Sequence, residues 1–311
     1  MEAIIRGAIR FTAVSDSVPK IANKSQFLYL TASFAMRHNV FMVSIYSKEF
    51  LWITQAGIFY LMVLSYTDHM GMLNVIVTGA DRGLGLSLCR EFLSRGWTVF
   101  GGKFLRDYDL LEREREKNPR LHIVPLDVGD AASIAAARDM VAEQTDSLDM
   151  LVSNAALMGQ VQCSIDEPPM DLNAPWDSFR VNALGPVHMA EYFLPLFDKG
   201  EMKRLCFVSS EVSCIALMKH RAGNSYPYPM SKSSLNMGVR LMHNLLYPQG
   251  YSFRLYHPGW MKRMLPDGTL SETAEYDPAR IAAHAAQYFE TPLNDEQRLV
   301  MYDYLDQEWP F

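Results

Sequence analysis

From Met72 onward, short apolar and β-branched runs alternate with longer segments whose apolar residues recur every three or four positions. Leu73–Val77, Trp97–Gly101, Leu121–Leu126, Leu148–Ser153, Arg204–Ser209 and Ser252–His257 read as six strands. Gly83–Ser94, Ala131–Gln144, Trp176–Phe197, Tyr228–Tyr247 and Asp277–Phe289 read as helices, the first closed by Gly96. Arg106–Arg120 is dense in mixed charge and reads as a solvated helix and turn. Apolar strands separated by helices imply right-handed crossovers and a parallel sheet buried on both sides. The expected fold is therefore α/β and doubly wound, with helices on both faces.

Residues 1–71 break this rhythm. Two apolar stretches, Phe27–Tyr46 and Phe50–Thr67, run without an alternating pattern. Arg37 and His38 interrupt the first, a costly pair at mid-bilayer, and Thr54, Gln55 and Ser65 dilute the second. No basic segment leads into an apolar run with a small-residue cleavage site, so a secretory signal is a poor match. A weak membrane anchor, a packing extension and translated upstream sequence stay open. The last is favoured, because Met70 and Met72 stand directly before the first expected strand. The expected organisation is an N-terminal extension, 1–71, and one catalytic domain, 72–311.

Composition narrows the functional classes. Of 311 residues, 49% are hydrophobic and 21% charged, with a net charge of −6. That apolar mass excludes disorder as the main theme. The acidic balance gives no global positive field for phosphate backbones, so no nucleic-acid partner is expected. Cys89, Cys163, Cys206 and Cys214 form no CxxC pair. They read as reduced thiols of a cytoplasmic protein, with neither a disulfide framework nor a metal site.

The first strand runs into Thr78-Gly79-Ala80-Asp81-Arg82-Gly83-Leu84-Gly85 and then a helix. Glycines at this strand-to-helix turn let the backbone approach a pyrophosphate, which sits on the helix N-terminus. This makes the expected sheet Rossmann-type, with a dinucleotide at its edge. The tip of the second strand, Val99-Phe100-Gly101-Gly102-Lys103-Phe104, holds no carboxylate to bond a ribose 2′-hydroxyl. Lys103 is there instead, and Arg82 lies in the turn, so NADP is expected over NAD.

Tyr228 and Lys232 are spaced i and i+4 on one helical face. A free tyrosine has a pKa near 10, and an adjacent ammonium lowers it toward values useful for proton transfer. Tyr226 has Met230 at the same spacing and no cationic partner there. The pair follows Ser209-Ser210 at the end of the fifth strand, which supplies further hydroxyls.

Taken together, TGADRGLG (78–85), LDV (126–128), SNAA (153–156), RVNALGPV (180–187), FVSS (207–210), YPMSK (228–232) and HPGW (257–260) resemble a short-chain dehydrogenase/reductase, in that family's order and across nearly all of 72–311. HPGWMKRM and the closing MYDYLDQEWPF look most like the C-factor-like branch. The resemblance implies that Tyr228 is the general acid and that Lys232 lowers its pKa and binds the nicotinamide ribose. It gives Ser210 the substrate oxygen, and Asn182 a water that links Lys232 to solvent. Asp127 and Val128 would border the adenine, Asn154, Ala155 and Ala156 the cofactor beside the fourth strand, and Pro258 and Gly259 the nicotinamide. Ser210 and Tyr228 lie 18 positions apart, longer than usual, so Ser213 is the runner-up serine. Arg263 stands where the family commonly has a threonine.

The expected function is hydride transfer between NADPH and a small carbonyl or alcohol, in an open pocket lined by Leu157, Met158, Trp176 and Trp260. The resemblance also implies a homodimer or homotetramer, because family members pack the helices that match those bearing Asn182 and Tyr228 across a dimer interface. The alternative is an NAD(P)-binding sensor or C-factor-like signalling protein with little turnover.

Overall fold

The computed structural model describes residues 40–45, 49–54, 59–62, 72–158, 173–219 and 226–311. The chain divides into two units, Met1–Gly71 and Met72–Phe311. In the first, β1 (Val40–Ile45), β2 (Glu49–Thr54) and β3 (Phe59–Met62) form an antiparallel sheet in that order. Val40 pairs with Thr54 and Phe50 with Met62. Most of the two apolar stretches noted above lies outside the described residues. Among the described residues no helix is long and apolar enough to cross a membrane.

The second unit is wound on β4 (Asn74–Val77), followed by α1 (Gly83–Ser94), β5 (Thr98–Lys103), α2 (Leu110–Lys117), β6 (Leu121–Pro125), α3 (Ala131–Ala142) and β7 (Met150–Ser153). Its second half holds α4 (Ala174–Phe179), α5 (Gly185–Phe197), β8 (Arg204–Val208), α6 (Pro227–Leu246), β9 (Ser252–His257), α7 (Pro278–Glu290), β10 (Met301–Asp303) and β11 (Glu308–Trp309). The sheet order is β11-β10-β9-β8-β7-β4-β5-β6, parallel from β4 to β10, with β11 antiparallel on the edge. Winding reverses between β4 and β7. In such folds that is the switch point where a crevice opens beyond the strand ends.

Alternate strand residues feed two separate cores. Val75 and Val77 of β4 face one cluster, where α1 (Leu88, Phe92) meets α7 (Ala282, Ala285, Phe289). Ile76 faces the other, with Ile134 of α3, Phe193 of α5, and Leu235 and Val239 of α6. Phe92, Phe193, Phe207 and Phe289 are fully buried, each worth about 1.5–3 kcal/mol by transfer from water. Capping agrees with the sequence: Asp130 and Asp277 accept the amides of Ala132 and Ala279 at the starts of α3 and α7, and Gly96 takes φ +94° past the end of α1.

Four elements differ from expectation. The helix in the charged stretch covers only Leu110–Lys117. The long helix expected over Trp176–Phe197 is broken by a π-helical turn, Arg180–Leu184, between α4 and α5. Strands β10 and β11 extend the sheet beyond the six expected strands.

Candidate active site

The turn after β4 is held from behind. Thr78 donates its amide to the Val152 carbonyl (3.0 Å), and its hydroxyl accepts the amides of Asn154 and Ala155 (3.0 Å each). Asn154 Nδ2 donates to the carbonyls of Thr78 (2.9 Å) and Gly79 (3.2 Å). Gly79 has φ +64°, and a Cβ there would meet Ala155 Cα at 2.8 Å. A Cβ on Gly85 would lie 2.1 Å from the Gly79 carbonyl oxygen. Only glycine packs there, while the space at Gly83 is open and its amide points to Met264 Sδ at 3.4 Å. A thioether is a weak acceptor, so this helix N-terminus has the shape and donors to hold a pyrophosphate.

Within the same turn, Asp81 and Leu84 face inward. Asp81 Oδ1 accepts the amides of Phe104 (2.8 Å) and Leu105 (2.6 Å), and burial pushes its carboxyl up despite those bonds. Leu84 belongs to the α1–α7 core. Arg82 stacks over the Tyr108 ring, its guanidinium carbon 5.0 Å from the centroid, and Nη1 donates to the Tyr108 hydroxyl (3.1 Å). Lys103 is ion-paired with Glu112 of α2. Thus the two cations expected at one phosphate have different partners.

Further along, Asp127 Oδ1 accepts the Gly129 amide (2.8 Å), and the buried Val128 has its carbonyl against Gly185. Ala156 is exposed beside the half-buried Asn154 and Ala155. Pro258 is buried, and Gly259 (φ +74°) backs onto Tyr304, whose ring a Cβ would meet at 2.6 Å.

The second cluster joins Tyr228, Ser210, Lys232 and Asn182. Proline at the start of α6 presets its first turn, which sets Tyr228 and Lys232 one turn apart. The Ser210 hydroxyl is hydrogen-bonded to the Tyr228 phenol. Burial pushes that phenol above its ordinary value, and the Ser210 bond opposes the rise. The phenol is thus raised, not lowered as the Lys232 spacing predicts, and burial is the larger cause. Lys232 is itself buried, its Nζ donating to the Val208 carbonyl (2.8 Å) and lying 5.8 Å from the Tyr228 ring centre. Burial pushes its ammonium down to about 8.

Asn182 lies in the π-helical turn, a form of helix enriched at functional sites. Its Oδ1 accepts the Leu157 amide (2.7 Å), and Nδ2 donates to the Leu157 carbonyl (2.7 Å) and Ser231 Oγ (2.9 Å). Ser231 Oγ in turn donates to the Tyr228 carbonyl (2.8 Å), linking Asn182 to the start of α6. The sequence reading passed over Ser231, although it sits inside YPMSK. Ser213 points elsewhere. Its hydroxyl donates to the Ser210 carbonyl (2.6 Å), accepts Asn236 Nδ2 (2.8 Å), and is 2% exposed. Ser210 is the half-buried hydroxyl that meets Tyr228.

Leu157, Met158, Trp176 and Trp260, the expected pocket walls, are all exposed. Directly after Ser210, a cavity of about 250 Å³ is lined by Glu211, Val212, Leu217, Met218, Lys219 and Trp309 of β11. Trp309, part of the closing stretch noted above, is not among the expected pocket walls. Arg263 bonds Ser271 through its backbone amide (2.9 Å).

A protein-family model described as short chain dehydrogenase matches residues 73–268. An uncharacterized oxidoreductase of Schizosaccharomyces pombe is 29% identical over 204 residues, 65% of this chain and 79% of the relative. The C-signal protein of Myxococcus xanthus is 35% identical over 128 residues, 40% of this chain and 74% of the relative. Among solved structures, NADPH-bound carbonyl reductase from chicken fatty liver superposes with a TM-score of 0.67 at 25% identity, over 78% of this chain and all of that one. A carbonyl reductase from Pseudomonas aeruginosa in complex with NADP superposes with a TM-score of 0.63 at 27% identity, over 78% and 100%. With its sheet order, glycine turn and Tyr-Lys helix all in that pattern, the chain belongs to the short chain dehydrogenase family of oxidoreductases.

Proposed function

We propose that the enzyme transfers a hydride between NADPH and a small carbonyl or alcohol, with Tyr228, Lys232, Ser210 and Asn182 as its catalytic set. The observation that carries this reading is the Ser210–Tyr228 hydrogen bond beside the buried Lys232, whose Nζ lies 5.8 Å from the Tyr228 ring centre. NADP(H) in the carbonyl reductases of similar fold supports the cofactor. The glycine cradle fits its pyrophosphate, and Asn154, Ala155, Pro258 and Gly259 border the crevice. When bound, NADPH supplies the hydride.

Tyr228 gives its proton to the substrate oxygen. Burial keeps the phenol protonated at neutral pH, as a general acid for reduction requires. Ser210 orients that oxygen through the hydroxyl it turns to Tyr228. Lys232 replenishes the proton and holds the ribose. The Asn182 side chain bonds Leu157 and Ser231, and the family resemblance gives Asn182 the water that links Lys232 to solvent. We further infer a cytoplasmic homodimer or homotetramer, supported by the exposed Met237, Leu241 and Leu245 along α6.

Turnover of NADPH with a panel of aldehydes and ketones, followed by absorbance, tests the proposal. Tyr228→Phe should cut the rate by at least about 100-fold while nucleotide-induced thermal stabilisation persists. Retained turnover in that variant overturns the assignment. The similarity to C-signal favours a second reading, a nucleotide-binding signalling protein. A wild type that binds NADPH and reduces nothing in the panel would favour it.

A further inference from the structure

Three segments far apart in sequence meet at the Tyr108 hydroxyl. Arg82 Nη1 donates to it at 3.1 Å from the glycine turn. It donates in turn to the Met264 carbonyl at 3.4 Å, in the segment that follows β9. Tyr108 itself precedes α2 and is 7% exposed, set in the core with Leu110, Leu111 and Met264. Its ring is thus fixed along its edge and at its hydroxyl, and the Arg82 guanidinium lies on its face. Cation–π stacking of this kind holds a planar guanidinium flat while its remaining donors point outward.

The location matters as much as the stack. Asp81 Oδ1 accepts the amides of Phe104 and Leu105, which ties the turn carrying Arg82 to the tip of β5. In a sheet of this order, that tip is where the adenosine ribose is read. Two cations are available there, and they are not equivalent. Lys103 is neutralised by Glu112, so an incoming phosphate must compete with a carboxylate. Arg82 is half-buried and has no carboxylate partner among the described residues, its side-chain bonds running only through Nη1 to Tyr108 and Met264. Nε and Nη2 keep their donors, in the fork geometry that matches phosphate oxygens. An arginine already held in place loses less side-chain freedom on binding than a free one.

We propose that Tyr108 is the positioning residue that orients Arg82 toward a ribose 2′-phosphate, and that it thereby sets the preference of this enzyme for NADPH over NADH. The assignment rests on the NADPH reading above and specifies how the chain makes that choice. Tyr108 touches neither the reacting atoms nor the nicotinamide. Its whole effect passes through Arg82.

Binding of NADPH and of NADH to the full chain, measured by calorimetric titration, tests this with Tyr108→Leu, Tyr108→Phe, Arg82→Ala and the Arg82→Ala/Tyr108→Leu pair. Leucine keeps the core filled but removes the ring face. The expected result is about a tenfold weaker affinity for NADPH, with NADH unchanged within about twofold. Phenylalanine keeps the face and loses the hydroxyl, and should cost about two- to threefold for NADPH alone. If Tyr108→Leu does not fold, the phenylalanine variant carries the test against the same Arg82→Ala background. In that background neither change at Tyr108 should have a further effect, because a residue acting through Arg82 has nothing left to position. Equal weakening of both nucleotides, an unchanged NADPH-to-NADH ratio, or a full effect in the Arg82→Ala background would overturn the assignment. A wild type that binds both nucleotides equally would overturn the NADPH reading, and this assignment with it.

Discussion

Replacing Lys232 by methionine should make the protein more stable at neutral pH while abolishing its turnover. The Lys232 side chain is buried, and its ammonium titrates at about 8 in place of the ordinary 10.5. At pH 7 that difference costs the charged form about 3 kcal/mol in the folded state. The sign follows from proton counting. As pH falls, the unfolded chain protonates Lys232 near 10.5, whereas the folded chain does so only near 8. Between those values the unfolded state binds more protons, so the wild type loses stability as pH falls, and the whole penalty is present below about 8. Methionine has a similar volume and no proton to bind, but it leaves the Val208 carbonyl without this donor, at a cost of about 1 kcal/mol.

The variant should therefore gain about 2 kcal/mol at pH 7 and about 1 kcal/mol at pH 9, and lose about 1 kcal/mol well above the ordinary lysine pKa, where only the missing Val208 bond counts. For a domain of this size the pH 7 gain corresponds to about 4–8 °C in Tm. Thermal and urea unfolding of both proteins without nucleotide, at pH 7 and pH 9, measures the difference. A variant less stable than wild type at pH 7, or an advantage that is the same at both pH values, would refute the reasoning.

Gly85→Ala would force a Cβ to 2.1 Å from the Gly79 oxygen and 2.7 Å from Asn154 Nδ2, so it should lose about 1–3 kcal/mol and the thermal shift with NADPH. An intact shift would show that the cradle is not the nucleotide site. Ser210→Ala should lower kcat by about 100-fold with little change in unfolding midpoint. Ser213→Ala should do the reverse, costing about 1–3 kcal/mol through its broken buried bonds while folded molecules keep their kcat. If the two variants exchange these phenotypes, Ser213 is the catalytic serine. Arg254→Met removes the nearer of the two guanidinium partners of Glu296, leaving Arg204 at 3.7 Å, and should cost about 3 kcal/mol by urea unfolding. Adding Glu296→Leu should recover most of the loss. If it recovers nothing, the pair is not what holds that region.

The parts of this fold legible in the sequence were those set by local chemistry. Six strands and the helices between them follow from hydrophobic period, and the glycine turn follows from spacing, because a tight strand-to-helix turn admits few residues. The Tyr228–Lys232 pairing follows from helical geometry alone. What stayed hidden depends on long-range burial. Met301–Asp303 and Glu308–Trp309 are too short to show alternation, and they become strands only because β9 supplies an edge. Glu112 looked solvated on a charged helix, yet it pairs with Lys103 from the neighbouring strand. Tyr108 sits in the same charged stretch, with nothing local to mark it as the partner of an arginine 26 positions earlier. The direction of the Tyr228 shift was hidden for a related reason: spacing reveals a neighbouring charge but not how much water burial removes.

The small strand β11 has a consequence for how copies of this protein meet. Strand β10 would otherwise end the sheet with a row of unpaired amides and carbonyls, an invitation for another chain to add a strand. Two residues close that row, and the structure holds them firmly. Asp303 accepts the amides of Leu305 and Gln307 and the Trp309 indole, Asp306 takes a left-handed conformation in the turn, and Glu308 pairs with Arg298. Growth of the sheet from the β10 edge is thereby hindered, while β6 forms the opposite edge. Loss of residues 307–311 would leave the nucleotide cradle untouched and uncover a template for fibrous aggregation.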